Sequence, residues 1–212
     1  MRKRNAAWRS ILAVLLLTAF ALCNAEPDAD TQSQRTATQK DKNSTRAEVK
    51  ILDRDVVDQD GQPRKFKTDV VGERVVAMNF VFTTCQSVCP AQSLIFKKLQ
   101  QMLGDDLGKD VAMISVSVDP NTDIPARLKA YAQSRGAKAD WSWITGEKHN
   151  IDEILTGVGA YTKDYTNHPA MILVGDPVTG DWTRFNGFPQ PEQLAQRIKE
   201  LQAARAAKIL TR

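Results

Sequence analysis

Two cysteines carry the chemistry that this chain can be expected to do. Cys85 and Cys89 lie in the run Thr83-Thr84-Cys85-Gln86-Ser87-Val88-Cys89-Pro90. Proline has no amide hydrogen and sits best in the first turn of a helix, so Pro90 predicts a helix that starts only a few residues earlier. Both sulfurs then fall at a helix N-terminus. Unpaired amide hydrogens and the positive end of the helix dipole favour thiolate over thiol there, which prepares a cysteine for metal ligation or for thiol exchange. Three intervening residues, rather than the two of a Cys-x-x-Cys redox motif, let the sulfurs spread around a metal, while a disulfide between them stays geometrically open. The alternative of two cysteines packed as small hydrophobes, or joined in an inert bridge, fits the exposed helix start less well.

The elements around the motif alternate. An Asp60-Gly61 turn predicts a hairpin between residues 55–58 and 65–67. Residues 74–82 are mostly apolar over the length of a strand, which predicts burial on both faces of a sheet, and they end directly at the cysteines. Ala91, Leu94, Ile95, Leu99, Met102 and Leu103 recur at helical spacing up to Gly104. Residues 111–118 read as the next strand, and residues 121–123 with Pro125 open a helix that carries Leu128, Tyr131 and Ala132 to Gly136. A strand over 141–144, a helix over 151–155, a strand over 170–174, a hairpin through 176–180 to 182–185 and a helix from Pro191 complete the order. Strands alternating with helices predict an α/β fold with helices on both faces of the sheet.

Composition narrows the class. A chain of 212 residues, 42% hydrophobic and 25% charged, has the makeup of one soluble globular domain or two small ones, not of a fibrous, disordered or multi-span membrane protein. The net charge of +4 comes from Arg2, Lys3, Arg4 and Arg9 at the extreme N-terminus, and the remainder is balanced. No basic stretch is interleaved with aromatics, so nucleic-acid binding is set aside. The basic start, the apolar run over 11–22 and the small residues up to Ala25 read as a secretory signal peptide over 1–25. At 1.5 Å per residue, that run rises about 18 Å against roughly 30 Å of hydrocarbon, which makes a retained anchor the weaker reading. A lipid on Cys23 is weaker too, because Leu22 is larger than the residue such sites normally carry.

Residues 26–49 are polar and read as a disordered tether ahead of a domain over 50–212. Export places that domain in the periplasm, free or associated with the membrane. An oxidising compartment does not leave two thiols free unless a metal or a redox partner holds them. A bridge closing so short a loop would constrain the unfolded chain little, so function explains the pair better than stability does.

The Cys85-to-Pro90 run after a strand, then Ile114-Ser115-Val116-Ser117-Val118-Asp119-Pro120, then His168 ahead of a strand ending Leu173-Val174-Gly175-Asp176-Pro177, together resemble the Sco/SenC family over about residues 57–187. The resemblance implies a thioredoxin-like fold with a central mixed sheet. It also implies that Cys85, Cys89 and His168 bind copper, and that the protein assists assembly of the copper centre of cytochrome c oxidase as a metallochaperone, a thiol reductant or both. Its partners would be a copper-receiving protein such as a cytochrome c oxidase subunit and a thiol reductant. It is expected to be a monomer, with its N-terminus as the route to a membrane surface.

The family commonly carries an Asp before its metal-binding His, where this chain has Asn167. Pro169, directly after the histidine, falls close to where thioredoxin-like folds keep a cis-proline beside their cysteines. Without the carboxylate at 167, metal affinity or its pH dependence is expected to depart from the family norm.

Two soft thiolates and one imidazole suit Cu(I) in a three-coordinate site and Cu(II) with an added oxygen ligand, whereas they leave zinc short of a closed four-coordinate shell. His149, in a polar stretch, reads as a surface residue near a helix start. Met78, Met113 and Met171 lie in apolar strands and read as core, Trp141, Trp143 and Trp182 as packing residues, and Asp119 and Asp176 as turn residues before prolines. Against the copper-binding assembly factor stands a thiol-disulfide oxidoreductase cycling Cys85 and Cys89. Behind both stands a peroxiredoxin-like peroxidase, for which no clear activating arginine lies beside Cys85. His168 separates the first two, since disulfide exchange needs no such ligand.

Overall fold

The computed structural model describes residues 43–210. The apolar run ahead of the cysteines is strand β4, Val75–Val81, and every residue in it is buried. Successive side chains of a strand point to opposite faces, and here both faces are covered. Val75, Ala77 and Val81 pack with Phe96 and Leu99 of helix α1 (Val88–Leu103), Leu128 of α2 (Pro125–Arg135) and Leu194 and Ile198 of α4 (Pro191–Leu210). Val76, Met78 and Phe80 pack with Ile151, Ile154 and Leu155 of α3 (Lys148–Gly157), and with Phe66 and Val70 of a π-helical turn at Phe66–Val71. The expected α/β sheet with helices on both faces is therefore present.

Around β4 lie β5 (Val111–Ser117) and β6 (Trp141–Thr145), both in parallel, and β7 (Met171–Asp176) and β8 (Asp181–Asn186), joined as an antiparallel hairpin. With β1 (Ser44–Arg46), β2 (Asp55–Asp58) and β3 (Pro63–Lys65), they make one mixed sheet of order β1-β8-β7-β4-β5-β6-β2-β3. The β2–β3 turn is built by Asp58, whose Oδ1 accepts from the amides of Asp60 and Gln62, both at 2.9 Å, while Gly61 takes the positive φ of 77° that the turn requires.

Several expectations are corrected. The ordered domain begins before Lys50: Ser44–Arg46 pairs with β8 and Ala47 is buried, so the tether does not extend to 49. The expected signal peptide over 1–25, and the part of the expected tether before residue 43, lie outside the described residues. The second hairpin strand ends at Lys65 because Phe66 turns into the core. The buried face of α1 is also rotated from the expected one. Leu94 and Met102 are exposed, and Gln92, Ser93 and Gln100 are buried in the positions apolar residues were expected to take. Each of the two glutamines finds a backbone partner, Gln92 the carbonyl of Met171 and Gln100 that of Gly136. Tertiary hydrogen bonds, not hydropathy alone, set the helix phase.

Met78, Met113, Met171, Trp141, Trp143 and Trp182 are all core residues. Asp176 does more than make a turn. It is fully buried, accepts from the Val178 amide at 2.8 Å and takes two hydrogen bonds from Arg205 of α4, which locks that helix onto the sheet. Burial raises its pKa, but Arg205 and the turn amides outweigh burial and hold the carboxyl below its usual value. Arg205→Ala, which strips this buried carboxylate of its cation, should cost about 3 kcal/mol at neutral pH in chemical denaturation. Because the folded-state pKa lies below the unfolded one, the pair's contribution is present above the ordinary carboxylate range and is lost as pH falls through the folded value. The gap between variant and wild type should therefore close in acid.

Candidate metal and thiol site

The site forms where three strands end. β4 and β5 run parallel, so their C-terminal ends lie side by side, and β7 runs antiparallel to β4, so its first residue meets that same edge. The register Asn79↔Ile172 brings the segment just before β7 against the segment just after β4. Cys85 and Cys89 follow β4, Asp119 and Asp123 follow β5, and His168 precedes β7. Their Cys89 Sγ and His168 Nε2 atoms lie 4.0 Å apart although the residues are 79 positions apart in sequence.

The two sulfurs are not alike. Helix α1 starts at Val88, so Cys89 lies inside the first turn, fully buried, whereas Cys85 sits in the loop and is partly exposed. Ser87 occupies the N-cap without making a side-chain hydrogen bond, and Cys85 Sγ takes over the capping role by accepting from the Cys89 amide at 3.4 Å. For Cys85, burial raises the pKa, but the amides of Cys89, Ser87 and Val88 prevail and the thiol is lowered below its ordinary value. For Cys89, burial dominates and the neighbouring Cys85 and Asp123 add to it, so the thiol is pushed up to about 12. Of the two helix-start thiols expected to be lowered, Cys85 alone is. Both are free thiols in the structure.

His168 is 8% exposed, and its ring packs edge-on against Phe82, with centroids 5.6 Å apart at 80°. Burial lowers its pKa against a smaller upward pull from the Pro169 backbone, so the imidazole is neutral at neutral pH and has a lone pair to offer. Its Nδ1 is buried without a hydrogen bond of good geometry. The described residues contain no three His, Cys, Asp or Glu side chains already gathered as a metal-binding group. Cys89 and His168 meet directly, while Cys85 is tied to the pair through the Cys89 backbone. As expected, His149 lies on the surface near the start of α3, beside Glu153.

Asp123 is the residue that sequence reasoning missed. Residues 121–123 were expected to open α2, but Ile124 before Pro125 is extended, at φ −65° and ψ 158°, and becomes the N-cap instead. Asp123 then turns inward, fully buried, and accepts from Thr83 N (3.1 Å), Thr83 Oγ1 (2.6 Å) and Ser117 Oγ (2.7 Å). It pins the loop two residues ahead of Cys85 to the end of β5. Burial raises its pKa against these hydrogen bonds. The Ile-Pro step was the available signal, since the residue before a proline is steered away from helical geometry.

This arrangement defines a class: a thioredoxin-like α/β protein with a thiol pair beyond its central strand and an imidazole facing it from the neighbouring strand. The SCO1/SenC family profile matches residues 43–203, and the chain belongs to that family. It is 38% identical to the SCO1 protein homolog of Bacillus subtilis (strain 168) over 69 residues, covering 32% of this chain and 35% of that protein. The chain spans half or less of the length of the curated relatives it matches. Among solved structures, it resembles BsSco, a member of the Sco family of cytochrome c oxidase assembly proteins in which a disulfide switch was identified, at 25% identity and a TM-score of 0.59, covering 77% of this chain and 96% of that one. It shares its fold with Bradyrhizobium japonicum ScoI with copper bound, at 24% identity and a TM-score of 0.57, covering 75% and 99% of the two chains.

Two outcomes follow. Brief alkylation of the reduced protein near neutral pH should modify Cys85 ahead of Cys89, which should react only after denaturation, as peptide mass spectrometry would report. Equal labelling would contradict the asymmetry. Asp123→Ala leaves the Thr83 and Ser117 donors unpaired in a buried site and should destabilise the protein by about 1–3 kcal/mol in denaturant titration, with Asp123→Asn losing less.

Proposed function

We propose that this protein binds copper through Cys85, Cys89 and His168 and passes it on as cargo during assembly of a copper enzyme, with a cytochrome c oxidase subunit as the receiving partner. The observation that carries this reading is the approach of Cys89 Sγ to His168 Nε2 at 4.0 Å, since disulfide exchange requires no imidazole ligand whereas a copper site gains one. Two sulfurs and one nitrogen match the preference of Cu(I) and, with an oxygen ligand, of Cu(II). Family membership and the fold shared with a copper-bound ScoI support the same cargo. The partly exposed Cys85 is the ligand that a receiving protein reaches first. Residues 1–25 read as an export signal, which would place the domain on the periplasmic side.

A second reading is favoured by the asymmetry of the sulfurs: thiol-disulfide exchange. The Cys85 thiolate would attack a partner's disulfide to give a mixed disulfide. Cys89, giving up its proton to the partner thiolate released in the first step, would then displace the partner's second sulfur, leaving Cys85–Cys89 oxidised and the partner's two sulfurs reduced. Both activities draw on the same sulfurs, so a bridged pair would leave His168 as the sole ligand and copper would be lost.

Anaerobic copper titration of the reduced full chain should give one copper per protein, and His168→Ala should weaken binding at least about tenfold with the fold and thiol count intact. The fully oxidised protein should take up none at comparable affinity. Unchanged affinity in His168→Ala would remove the histidine from the site, and stoichiometric uptake by the oxidised protein would remove the thiolates.

A further inference from the structure

The turn that delivers His168 is organised by one carboxylate. Asp164 Oδ1 accepts from the Thr166 amide (3.0 Å) and from Thr166 Oγ1 (2.7 Å), and its Oδ2 accepts from the Asn167 side-chain amide (2.7 Å). Backbone bonds from Asn167 N to Asp164 O (3.1 Å) and from His168 N to Tyr165 O (3.2 Å) close the short 3₁₀ turn Tyr165–Asn167. Tyr165 then lies edge-on to Phe82 at 5.4 Å, and Phe82 edge-on to His168. The imidazole has no well-formed hydrogen bond of its own at Nδ1. Its direction is therefore set by this packing, by the backbone of the turn and by the Cys89 Sγ contact at Nε2, with no polar partner at Nδ1.

We propose that Asp164 and Asn167 form a clamp that positions His168, and that residue 167 of this chain must be a hydrogen-bond donor. An aspartate there would set a second carboxylate against Asp164 at the 2.7 Å contact that the Asn167 amide now makes, and like charges so close repel. The carboxylate of this turn has its place at 164, and Asn167 is the complement that lets it stay. The two are positioning residues, and their bearing on copper rests on the reading of His168 as a ligand.

The test uses the full chain with Asp164→Ala, with Asn167→Asp, and with the exchanged pair Asp164→Asn/Asn167→Asp, in which donor and acceptor trade places. In the copper-free protein, NMR should show amide exchange at residues 166–168 roughly tenfold faster in each single variant, together with broadened or shifted His168 ring resonances and an unaltered melting midpoint. The exchanged pair should restore the wild-type pattern. Copper affinity of the reduced protein should fall about threefold to tenfold in the single variants and recover in the pair. On a His168→Ala background the same changes should have no effect. Wild-type ring signals and exchange rates in both single variants would overturn the clamp, as would an equal affinity loss with His168 absent. If the reduced wild type takes up no copper, the copper reading falls and the ring signals alone decide the clamp.

Discussion

The antiparallel pairing of β7 against β4 is the constraint on which the rest of the site depends. Had β7 run parallel to β4, as β5 does, the residues before it would emerge at the opposite edge of the sheet, a strand length away from the cysteines. The pairing is held from several directions. The β7–β8 hairpin fills the sheet on its outer side, Asp176 and Arg205 fasten the far end of β7 to α4, and Gln92 of α1 donates to the carbonyl of Met171 at its near end. Two of these ties are buried polar contacts, which are costly to break once formed and so specify one register. A slip of one residue would turn Met171 and Leu173 away from their core.

Burial then gives the two sulfurs different roles. Helix α1 draws Cys89 into its first turn under the sheet edge and leaves Cys85 outside it, so the same motif offers one thiol lowered by helix-start amides and one pushed up by burial. A metal must displace the proton of Cys89 to use it, and a disulfide partner meets Cys85 first. Copper carriage and thiol exchange begin from the same arrangement of atoms, which is why one site can be read in both ways.

The surroundings hold this arrangement through carboxylates. Asp123 ties the cysteine loop to β5 from below, and Asp164 ties the histidine turn from the solvent side. Neither carries a cation as partner in the contacts described: each is satisfied by hydroxyl and amide donors. Burial raises the pKa of Asp123 against its hydrogen bonds, whereas the exposed Asp164 is lowered, chiefly by its Thr166 hydrogen bond.

The amino-acid sequence by itself determined the alternation of strands and helices, the doubly buried strand over 74–82, and the identity of the thiol pair. These follow from local signals: apolar runs of strand length, a proline at a helix start, glycines at helix ends. The link from His168 to the cysteines was legible through resemblance but not through spacing, because 79 residues separate it from Cys89 and only strand order closes that gap. Tertiary structure alone decided which sulfur is buried, which face of α1 turns inward, that Ser44–Arg46 belongs to the sheet, and that Asp123 leaves a helix start to hold Thr83 and Ser117. In each of these cases a residue's partner comes from a distant segment. Hydropathy and propensity describe a residue's own preference, whereas burial and buried hydrogen bonding depend on what the fold places beside it.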